Sequence, residues 1–299
     1  MSTHNYIISI RKVKIYTYIY IHNMSRVKAA CIIIGDEILN GKIIDTNSRF
    51  FAKFCFNLGI DLTTIIAIGD DEAQIIETVK YLSTKHQLIV TSGGIGSTHD
   101  DITYEAIAKS FDLPCVLNEE CKARMYGYSN PEARLRGQAL RDYLKMATLP
   151  TGPQVVNYWP LEKSWIPVCC IDSQVFIFPG IPQLFERLLT AMTPTLKKLF
   201  SLEENGSGGG YVRYYVKTHH TESQISHALG ELQKNASMVS QSVKLGSYPH
   251  YGMGFNTISI LGHRKDDELL REIVKKAIDQ FDGVEISAEE EDKYSNKRV

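Results

Sequence analysis

The sequence lacks the features that identify several large classes of protein. Its 33 basic and 34 acidic residues give a net charge of −1, so it has no basic excess with which to bind nucleic acid or an anionic membrane surface. Its six cysteines show neither CxxC nor Cys/His metal spacing, and no disulfide framework is apparent. A composition of 43% hydrophobic and 22% charged residues is that of a globular protein. We therefore expect reduced cysteines in a cytoplasmic protein that has no nucleic-acid or membrane partner.

The first 24 residues contain no acidic side chain, and the first acid in the chain is Asp36. Charges interrupt this Ile- and Tyr-rich stretch, so it is a poor transmembrane span, and it lacks the cleavage site of a secretory signal. It is either a mitochondrial presequence, which would make the location mitochondrial, or an upstream extension with the true start at Met24. We favour the extension, because a strand-like pattern begins after Met24 and Ile/Tyr alternation suits a strand better than an amphipathic helix.

In residues 25–201, strand-like segments alternate with helix-like segments. Short apolar runs that end at glycine, proline or polar residues predict strands over 27–34, 61–68, 87–92 and 174–178. Helical spacing and helix-stop residues predict helices over 45–58, 72–83, 102–111 and 182–200. Such alternation produces right-handed βαβ units and a parallel sheet that is covered on both faces. We therefore predict an α/β domain with a mostly parallel sheet.

A change of pattern after residue 201 predicts a second domain. Residues 202–210, which include a Ser-Gly-Gly-Gly run, have the composition of a flexible linker. Residues 211–282 predict the order strand, helix, strand, strand, helix, which suits a small α+β domain. The final segment, 283–299, is rich in charged residues, and we expect it to be a disordered tail.

Four of the predicted strands are followed by loops that contain glycine, most of them with acids. They are 35–37, 69–71, 93–101 and 179–180. Because the carboxyl ends of parallel strands share one edge, these loops are expected to meet where ligands of open α/β folds bind. Glycine lets the backbone approach a ligand closely, and the amides of 93–98 could bind an anion where the third helix starts. The predicted substrate-binding residues are Gly35, Asp36, Asn47, Gly93, Gly94, Gly96, Thr98, Pro179 and Gly180.

Carboxylates beside a phosphate are costly unless a cation lies between them, and magnesium or manganese often bridges carboxylates and phosphate oxygens. On this interpretation Asp36, Asp100 and Asp101 hold a divalent metal. Asp71 and Asp101 would then act in catalysis. Alternatively, an aspartate accepts hydrogen bonds from a ribose or a pterin ring, with no metal. The structural alternative is a tight turn in which Asp100 or Asp101 caps the following helix.

Other polar residues near these loops also have two interpretations. His99 could protonate a leaving phosphate, but a polar loop residue is the simpler interpretation. Asp45 and Asn47 could cap the first long helix, or Asn47 could contact a ligand. A local basic segment could contact phosphates as a flap, although a solvated helix face is more common. Its members are Lys122, Arg124, Arg134, Arg136 and Arg141.

Five motifs occur in the order seen in molybdopterin-binding-like domains. They are GDEILNGKIIDTN (35–47), IGDDEAQI (68–75), TSGGIGSTHDDIT (91–103), LPTGPQVVN (149–157) and FPGIPQLF (178–185). On these motifs the chain resembles the N-terminal domain of CinA and the molybdopterin-binding-like domain of eukaryotic FAD synthase. LGSYP (245–249) extends the resemblance into the second domain, so that it covers residues 27–282.

The resemblance implies a three-layer α/β fold like that of MogA, and a homo-oligomer. In MogA-like relatives, the acids that match Asp70 or Asp71 and Asp101 lie at the site of molybdopterin adenylation. The CinA-like branch resembles metal-dependent pyrophosphatases of ADP-ribose or FAD, and the THDD and SYP motifs place this chain with that branch. Two departures concern the site: Ser97 stands where the family has proline, and WIPVCC replaces the family's Ala-Pro-Gly segment.

These features together predict an enzyme that hydrolyses a nucleotide pyrophosphate such as FAD or ADP-ribose, with magnesium, manganese or cobalt as the divalent metal. A non-catalytic module that binds a pterin or flavin nucleotide is the first alternative. A transferase related to molybdenum-cofactor or FAD metabolism is the second. The resemblance includes neither the amidase domain of CinA nor the adenylyltransferase domain of FAD synthase, so FAD synthesis is not expected of this chain.

Overall fold

The computed structural model describes residues 26–202 and 210–295. The predictions about residues 1–24 and about most of the linker, 203–209, lie outside the described residues. Within the described ranges, no helix is both long and apolar enough to cross a membrane. The chain folds into two compact units. The first contains Ile60–Phe200 and the residues before Lys53, and the second contains Lys53–Gly59 and the residues after Phe200.

A mixed, mostly parallel sheet forms the centre of the first unit. The strands of this unit are β1 (Lys28–Ile34), β2 (Asp61–Ile68), β3 (Leu88–Ser92), β4 (Cys115–Leu117), β5 (Thr148–Pro150), β6 (Val155–Tyr158), β7 (Val168–Ile171) and β8 (Val175–Phe178). Six of them form one sheet in the order β2-β1-β3-β8-β7-β6, and β4 pairs with β5. The first four strands of that order are parallel, whereas β7 pairs antiparallel with both of its neighbours, β8 and β6. The predicted α/β fold class is confirmed.

Helices pack on this sheet because alternate residues of each strand face opposite layers. The helices that begin in the first unit are α1 (Asp36–Leu39), α2 (Asn47–Leu58, of which the residues from Lys53 belong to the second unit), α3 (Glu72–Ser83), α4 (Thr103–Ser110), α5 (Glu119–Tyr128), α6 (Gly137–Lys145), α7 (Pro182–Ala191) and α8 (Thr193–Leu199). Ile32 of β1 shares a buried core with Ile75 of α3 and Ile107 of α4. Phe178 belongs to the opposite layer, where its ring centroid lies 5.4 Å from that of Phe185 on α7. The sheet thus separates two helical layers.

The single helix predicted over 182–200 is wrong: the structure has two helices, α7 and α8, that meet at Met192. Pro194 is the second residue of α8. Proline has no backbone N–H, and its ring collides with the carbonyl group four residues earlier, so it cannot lie inside a continuous helix. The hydroxyl of Thr193 instead donates to the carbonyl oxygen of Thr190 at 2.7 Å and helps to end α7.

The second unit is an antiparallel sheet with helices, as the predicted α+β order requires. Its strands are β9 (Tyr211–Thr218), β10 (Lys244–His250), β11 (Phe255–His263) and β12 (Val284–Ile286), in the sheet order β10-β11-β9-β12. Its helices are α9 (Glu222–Val239), α10 (Asp267–Gln280) and α11 (Ala288–Ser295). A buried cluster that includes Val216, Ile258 and Leu270 joins the sheet to α10.

The expectation of a disordered tail over 283–299 is wrong for its described part. Strand β12 pairs with β9 at the edge of the sheet, and α11 follows it. Glu291 of α11 is 4% exposed, with an oxygen 3.4 Å from Nε2 of His250, and the ring of Tyr294 lies 4.9 Å from that of Phe255. Charge-rich composition concealed these contacts, because three acids in the first turn of α11 are also favoured at a helix N-terminus.

Candidate functional site

The loops that follow β1, β3 and β8 surround a cavity of about 470 Å³ at the carboxyl edge of the sheet. The backbone N–H of Gly93 donates to the carbonyl oxygen of Phe178 at 3.2 Å, so the loop after β3 is bonded to the end of β8. A side chain at Gly180 would lie 3.2 Å from Gly93, so these two glycines let the loops approach each other. Convergence of loops at this edge is the arrangement expected for a ligand site.

The glycine loop, defined as residues 93–101, packs tightly between β1 and α4. Gly93 has φ +115° and Gly94 has φ +64°. A Cβ atom at Gly93 would collide with the carbonyl oxygen of Ile34, and one at Gly94 would collide with the hydroxyl of Thr103. In the described part of the chain, the N–H groups of Gly94, Ile95 and Gly96 have no hydrogen-bond partner. They are therefore available to an anion.

Asn47 is a polar residue of the cavity and is 5% exposed. Its Nδ2 donates to Oγ of Ser92 and to the carbonyl oxygen of Gly180, both at 2.8 Å. Its Oδ1 is buried and has no partner among the described residues. The capping alternative for Asn47 is wrong, because Oδ1 of Asp45 accepts from the N–H of Ser48 at 3.0 Å and provides the cap. The free Oδ1 is thus a hydrogen-bond acceptor for a ligand N–H or O–H group.

Asp101 is the predicted catalytic residue that lines the cavity. Its Oδ2 accepts from the N–H of Thr98 at 2.9 Å and also from the Thr98 hydroxyl. A Cβ atom at Gly96 would lie 2.5 Å from the same oxygen, so the carboxylate lies over this glycine. The proposed capping by Asp100 or Asp101 is not observed, because α4 begins without a side-chain cap. Thr98 therefore acts by holding Asp101 rather than by lining the cavity.

A second group of acids lies beside the cavity. The N–H of Asp36 donates to Oδ2 of Asp70 at 3.0 Å. Burial raises the pKa of Asp70, and the negative charges of Glu37, Asp36 and Asp100 raise it further, against the lowering effect of the Asp36 hydrogen bond. Hydrogen bonding from Thr98 lowers the pKa of Asp100. Like charges are thus concentrated at this edge, where the positive charge of Lys145 also lowers the pKa of Asp100.

The predicted metal ligands Asp36, Asp100 and Asp101 do not form a metal-ligand group in the described chain. The carboxylate of Asp36 lies beside Gly69, whereas that of Asp101 lies over Gly96. Over the described ranges, no three or more His, Cys, Asp or Glu side chains are grouped so that they could hold a metal ion. A resident magnesium ion needs near-octahedral oxygen ligands. The residues present therefore do not fit a resident metal.

Asp71, the other predicted catalytic residue, has a structural position. It is exposed and is the N-cap of α3, where its Oδ1 accepts from the N–H of Gln74 at 2.8 Å. It does not contribute to the cavity wall within the described chain, and nor do Gly35 and Asp36. Asp71 and Asp101 both follow a glycine turn in the sequence. In the structure, Asp71 caps a helix and Asp101 lines the cavity.

We expect the variant Asp71→Ala to lose the helix cap and nothing else. The loss of an N-cap acceptor lowers the free energy of unfolding by about 1 kcal/mol, and the affinity for a nucleotide should stay at the wild-type value. Urea unfolding followed by tryptophan fluorescence measures the first, and calorimetric titration measures the second. Asp71→Asn keeps the acceptor and serves as the control. If Asp71→Ala bound the nucleotide more weakly than the wild type, Asp71 would have to be part of the binding site.

Apolar side chains form most of the cavity wall, and sequence reasoning missed them. The apolar residues include Ile43, Ile44, Ile95, Tyr104, Met146, Trp165, Ile166 and Ile181. Ile44 is 75% exposed and Ile181 is 61% exposed, so the rim presents apolar surface to solvent. The adjacent isoleucines in GKIIDTN and the tryptophan in WIPVCC were the available signals, because large apolar residues within a loop need a partner. Such walls suit a flat aromatic ring.

The remaining predicted residues lie outside the cavity. The side chain of His99 is 98% exposed and lies 3.8 Å from Asp100, as a polar loop residue would. The predicted basic segment covers α5, α6 and the turn between them; in it, Arg124 pairs with Glu120 and lies 4.3 Å from the ring of Trp159. Pro179 and Gly180 line the cavity, as predicted. The predicted homo-oligomer and cytoplasmic location stay predictions.

Comparison with known proteins gives consistent matches. A family model described as "Probable molybdopterin binding domain" matches residues 30–198, which is more than half of the chain. A Caenorhabditis elegans protein named "Probable FAD synthase" is 31% identical over 83% of this chain and 49% of its own length. An Archaeoglobus fulgidus protein is 30% identical over 83% of this chain and 94% of its own length. The crystal structure of CinA from Thermoplasma acidophilum is 28% identical in sequence. The match covers 57% of this chain and 98% of the CinA chain, with a TM-score of 0.49.

The extent of these matches differs between the relatives. The chain spans about half the length of the FAD synthase relative that it matches, at 49%. The archaeal match, by contrast, covers 94% of that protein. A match over 83% of this chain extends beyond residues 30–198, so it includes part of the second unit as well.

Proposed function

This chain belongs to the molybdopterin-binding domain family, and we propose that its cavity binds a nucleotide pyrophosphate such as FAD or ADP-ribose and hydrolyses it. In the reaction, a water oxygen forms a bond to one phosphorus atom while the bond from that phosphorus to the bridging oxygen breaks. FAD then yields FMN and AMP, and ADP-ribose yields AMP and ribose 5-phosphate. The water proton is taken up by a carboxylate, and the bridging oxygen leaves with the other product.

The observation that carries this proposal is the combination of two surfaces in one cavity. The glycine loop offers free N–H groups to a phosphate, and the rest of the wall offers mainly apolar and aromatic side chains to a ring. Oδ1 of Asn47 adds a buried acceptor for an N–H or O–H group of the same ligand. A nucleotide whose ring is linked to a pyrophosphate has all three of these chemical features.

Asp101 is the residue that we assign to the water. It lines the cavity and is held by two hydrogen bonds from Thr98, so its carboxylate has a fixed direction. The cavity wall carries two further acids, Glu37 and Asp45, and within the described ranges no lysine or arginine. A pyrophosphate would enter this acidic cavity most readily as its complex with magnesium, manganese or cobalt. The cation is then part of the substrate.

The proposal is tested by mixing the purified chain with FAD or ADP-ribose and each of the three cations, and measuring AMP by chromatography. We expect AMP and the second phosphate product in equal amounts. Asp101→Ala should lower the rate by about 100-fold or more, because general-base assistance is removed, and Asp71→Ala should react at the wild-type rate. No AMP from either substrate, or equal rates for both variants, would refute hydrolysis at this site.

Binding without turnover is the second candidate, and one observation favours it. The described acids do not form a metal-ligand group. Hydrolysis of a pyrophosphate usually needs a divalent cation to neutralise the developing charge. A nucleotide sensor or carrier would need only the cavity, the glycine loop and Asn47. Calorimetry that shows binding of FAD or ADP-ribose, with no AMP after prolonged incubation with each cation, would select this candidate.

A further inference from the structure

One lysine outside the predicted basic segment contacts the glycine loop. Lys145 is the last residue of α6, and its Nζ donates to the carbonyl oxygen of Thr98 at 3.2 Å. The next residue, Met146, lines the cavity together with Gly96 and Asp101. The ammonium group is therefore attached to the same loop that is proposed to hold the phosphates. We propose that Lys145 binds a phosphate of the ligand at the glycine loop.

The charge of the cavity gives the first reason. Glu37, Asp45 and Asp101 contribute negative charge to its wall, and like charges at short range disfavour the binding of a phosphate. In the described part of the chain, Lys145 is the lysine or arginine that contacts residues 93–101. An anionic ligand in this position needs a positive group, and Lys145 is placed to supply it.

The partners of the neighbouring cations give the second reason. Arg124 is bound to Glu120, and Lys109 at the end of α4 is bound to Glu72. Lys145 instead donates to a neutral carbonyl group, and the nearby Asp100 carboxylate interacts with it through its charge without an ion pair in the described ranges. A lysine ammonium has three donors on a flexible stem. It can contact a phosphate oxygen while one donor stays on Thr98, and its charge is not neutralised by a direct carboxylate contact.

This inference rests on the proposed phosphate-bearing ligand, so the experiment uses ligand pairs that differ only by a phosphate. FMN is compared with riboflavin, and AMP with adenosine, by calorimetric titration. Lys145→Met should weaken the binding of FMN and AMP by about 10- to 100-fold, which is the usual range for a charge-assisted hydrogen bond. Riboflavin and adenosine should bind as they bind the wild type. Lys145→Arg keeps the charge and should recover most of the affinity.

Lys80→Met is the matched control, because Lys80 is an exposed lysine of α3 and its loss changes the net charge equally. It should bind FMN like the wild type. Added salt should weaken FMN binding by the wild type more than by Lys145→Met, since salt screens a phosphate contact. If Lys145→Met bound FMN as tightly as the wild type, the inference would be overturned and the proposed function would stand. The same conclusion would follow if Lys145→Met lost as much affinity for riboflavin as for FMN. Failure of the wild type to bind FAD, ADP-ribose, FMN or AMP would overturn both.

Discussion

Gly93→Ala is expected to destabilise the first unit by about 3–5 kcal/mol, through backbone strain together with steric overlap. The φ of Gly93 is +115°, a conformation that a residue with a Cβ atom rarely adopts. The added Cβ would also collide with the carbonyl oxygen of Ile34, which ends a central strand and cannot move aside. Because the glycine loop must shift to relieve this collision, nucleotide binding should be lost as well.

The stability of this variant can be measured by urea unfolding with tryptophan fluorescence. Both tryptophans of the chain, Trp159 and Trp165, lie in the first unit, so the signal reports that unit. Gly127→Ala is the control. Gly127 is a helical residue of α5 with open space where a Cβ would lie, so alanine there should be neutral or stabilise by up to about 1 kcal/mol. If Gly93→Ala has the same urea midpoint of unfolding as the wild type, the glycine loop is not packed as tightly as described.

Asn47→Asp is expected to have the second largest effect, although it replaces a single NH₂ group by oxygen. The two hydrogen bonds from Nδ2 to Ser92 and Gly180 cannot both be kept, since a carboxylate has no donor. The carbonyl oxygen of Gly180 would face a buried negative charge at hydrogen-bond distance. We expect a loss of about 3 kcal/mol of unfolding free energy near neutral pH, at the upper end of the cost of an unsatisfied buried polar group.

The pH dependence of Asn47→Asp gives this prediction a distinct signature. Burial raises the pKa of the new carboxyl group in the folded state above its unfolded value of about 3.9. Above the folded-state pKa, the variant therefore shows its full loss of unfolding free energy relative to the wild type. This loss decreases as the pH falls through that pKa, because the protonated acid regains one hydrogen-bond donor. Urea unfolding at about pH 7.5 and about pH 5 should show a smaller difference from wild type at the lower pH.

Asn118→Asp is the matched control, made on the same unit with the same chemical change. Asn118 is the N-cap of α5, where its Oδ1 accepts from the N–H of Cys121 at 2.8 Å. Aspartate caps a helix as well as asparagine does and adds a favourable interaction with the helix dipole. This variant should match or exceed wild-type stability near neutral pH. Equal behaviour of the two variants would show that Asn47 does not have the buried contacts described.

The regular elements of the fold could be predicted because their signals are local. Strand β2 and helix α3 have the predicted bounds, since alternation and helical spacing are properties of neighbouring residues. The glycine turns predicted that four loops meet at one edge; the loops after β1, β3 and β8 line the cavity there, whereas the loop 69–71 after β2 does not. Strands β6 and β7, which pair with each other in antiparallel fashion, were missed because four-residue strands in a buried sheet give little periodic signal.

The identities of the site residues were harder to predict. Asp71 and Asp101 both follow glycine turns, yet one caps a helix at the surface and the other lines the cavity. The direction of a side chain in a turn depends on backbone angles that residues far along the chain determine. Met146 and Trp165 form part of the wall from segments that showed no binding motif. Lys145 lay just beyond the predicted basic segment.

The sequence by itself determined the α/β class, the alternation of the first three strands and helices in the first unit, the strand and helix order from β9 to α10 in the second, and the edge of the sheet where the cavity lies. Those properties follow from apolar spacing and glycine turns within a few residues of each other. Only the tertiary structure decided that Asn47 faces the cavity, where it is bonded to Ser92, 45 residues away, and to Gly180, 133 residues away. A buried polar group must find its partners in space, and its neighbours in the sequence do not specify which partners those are.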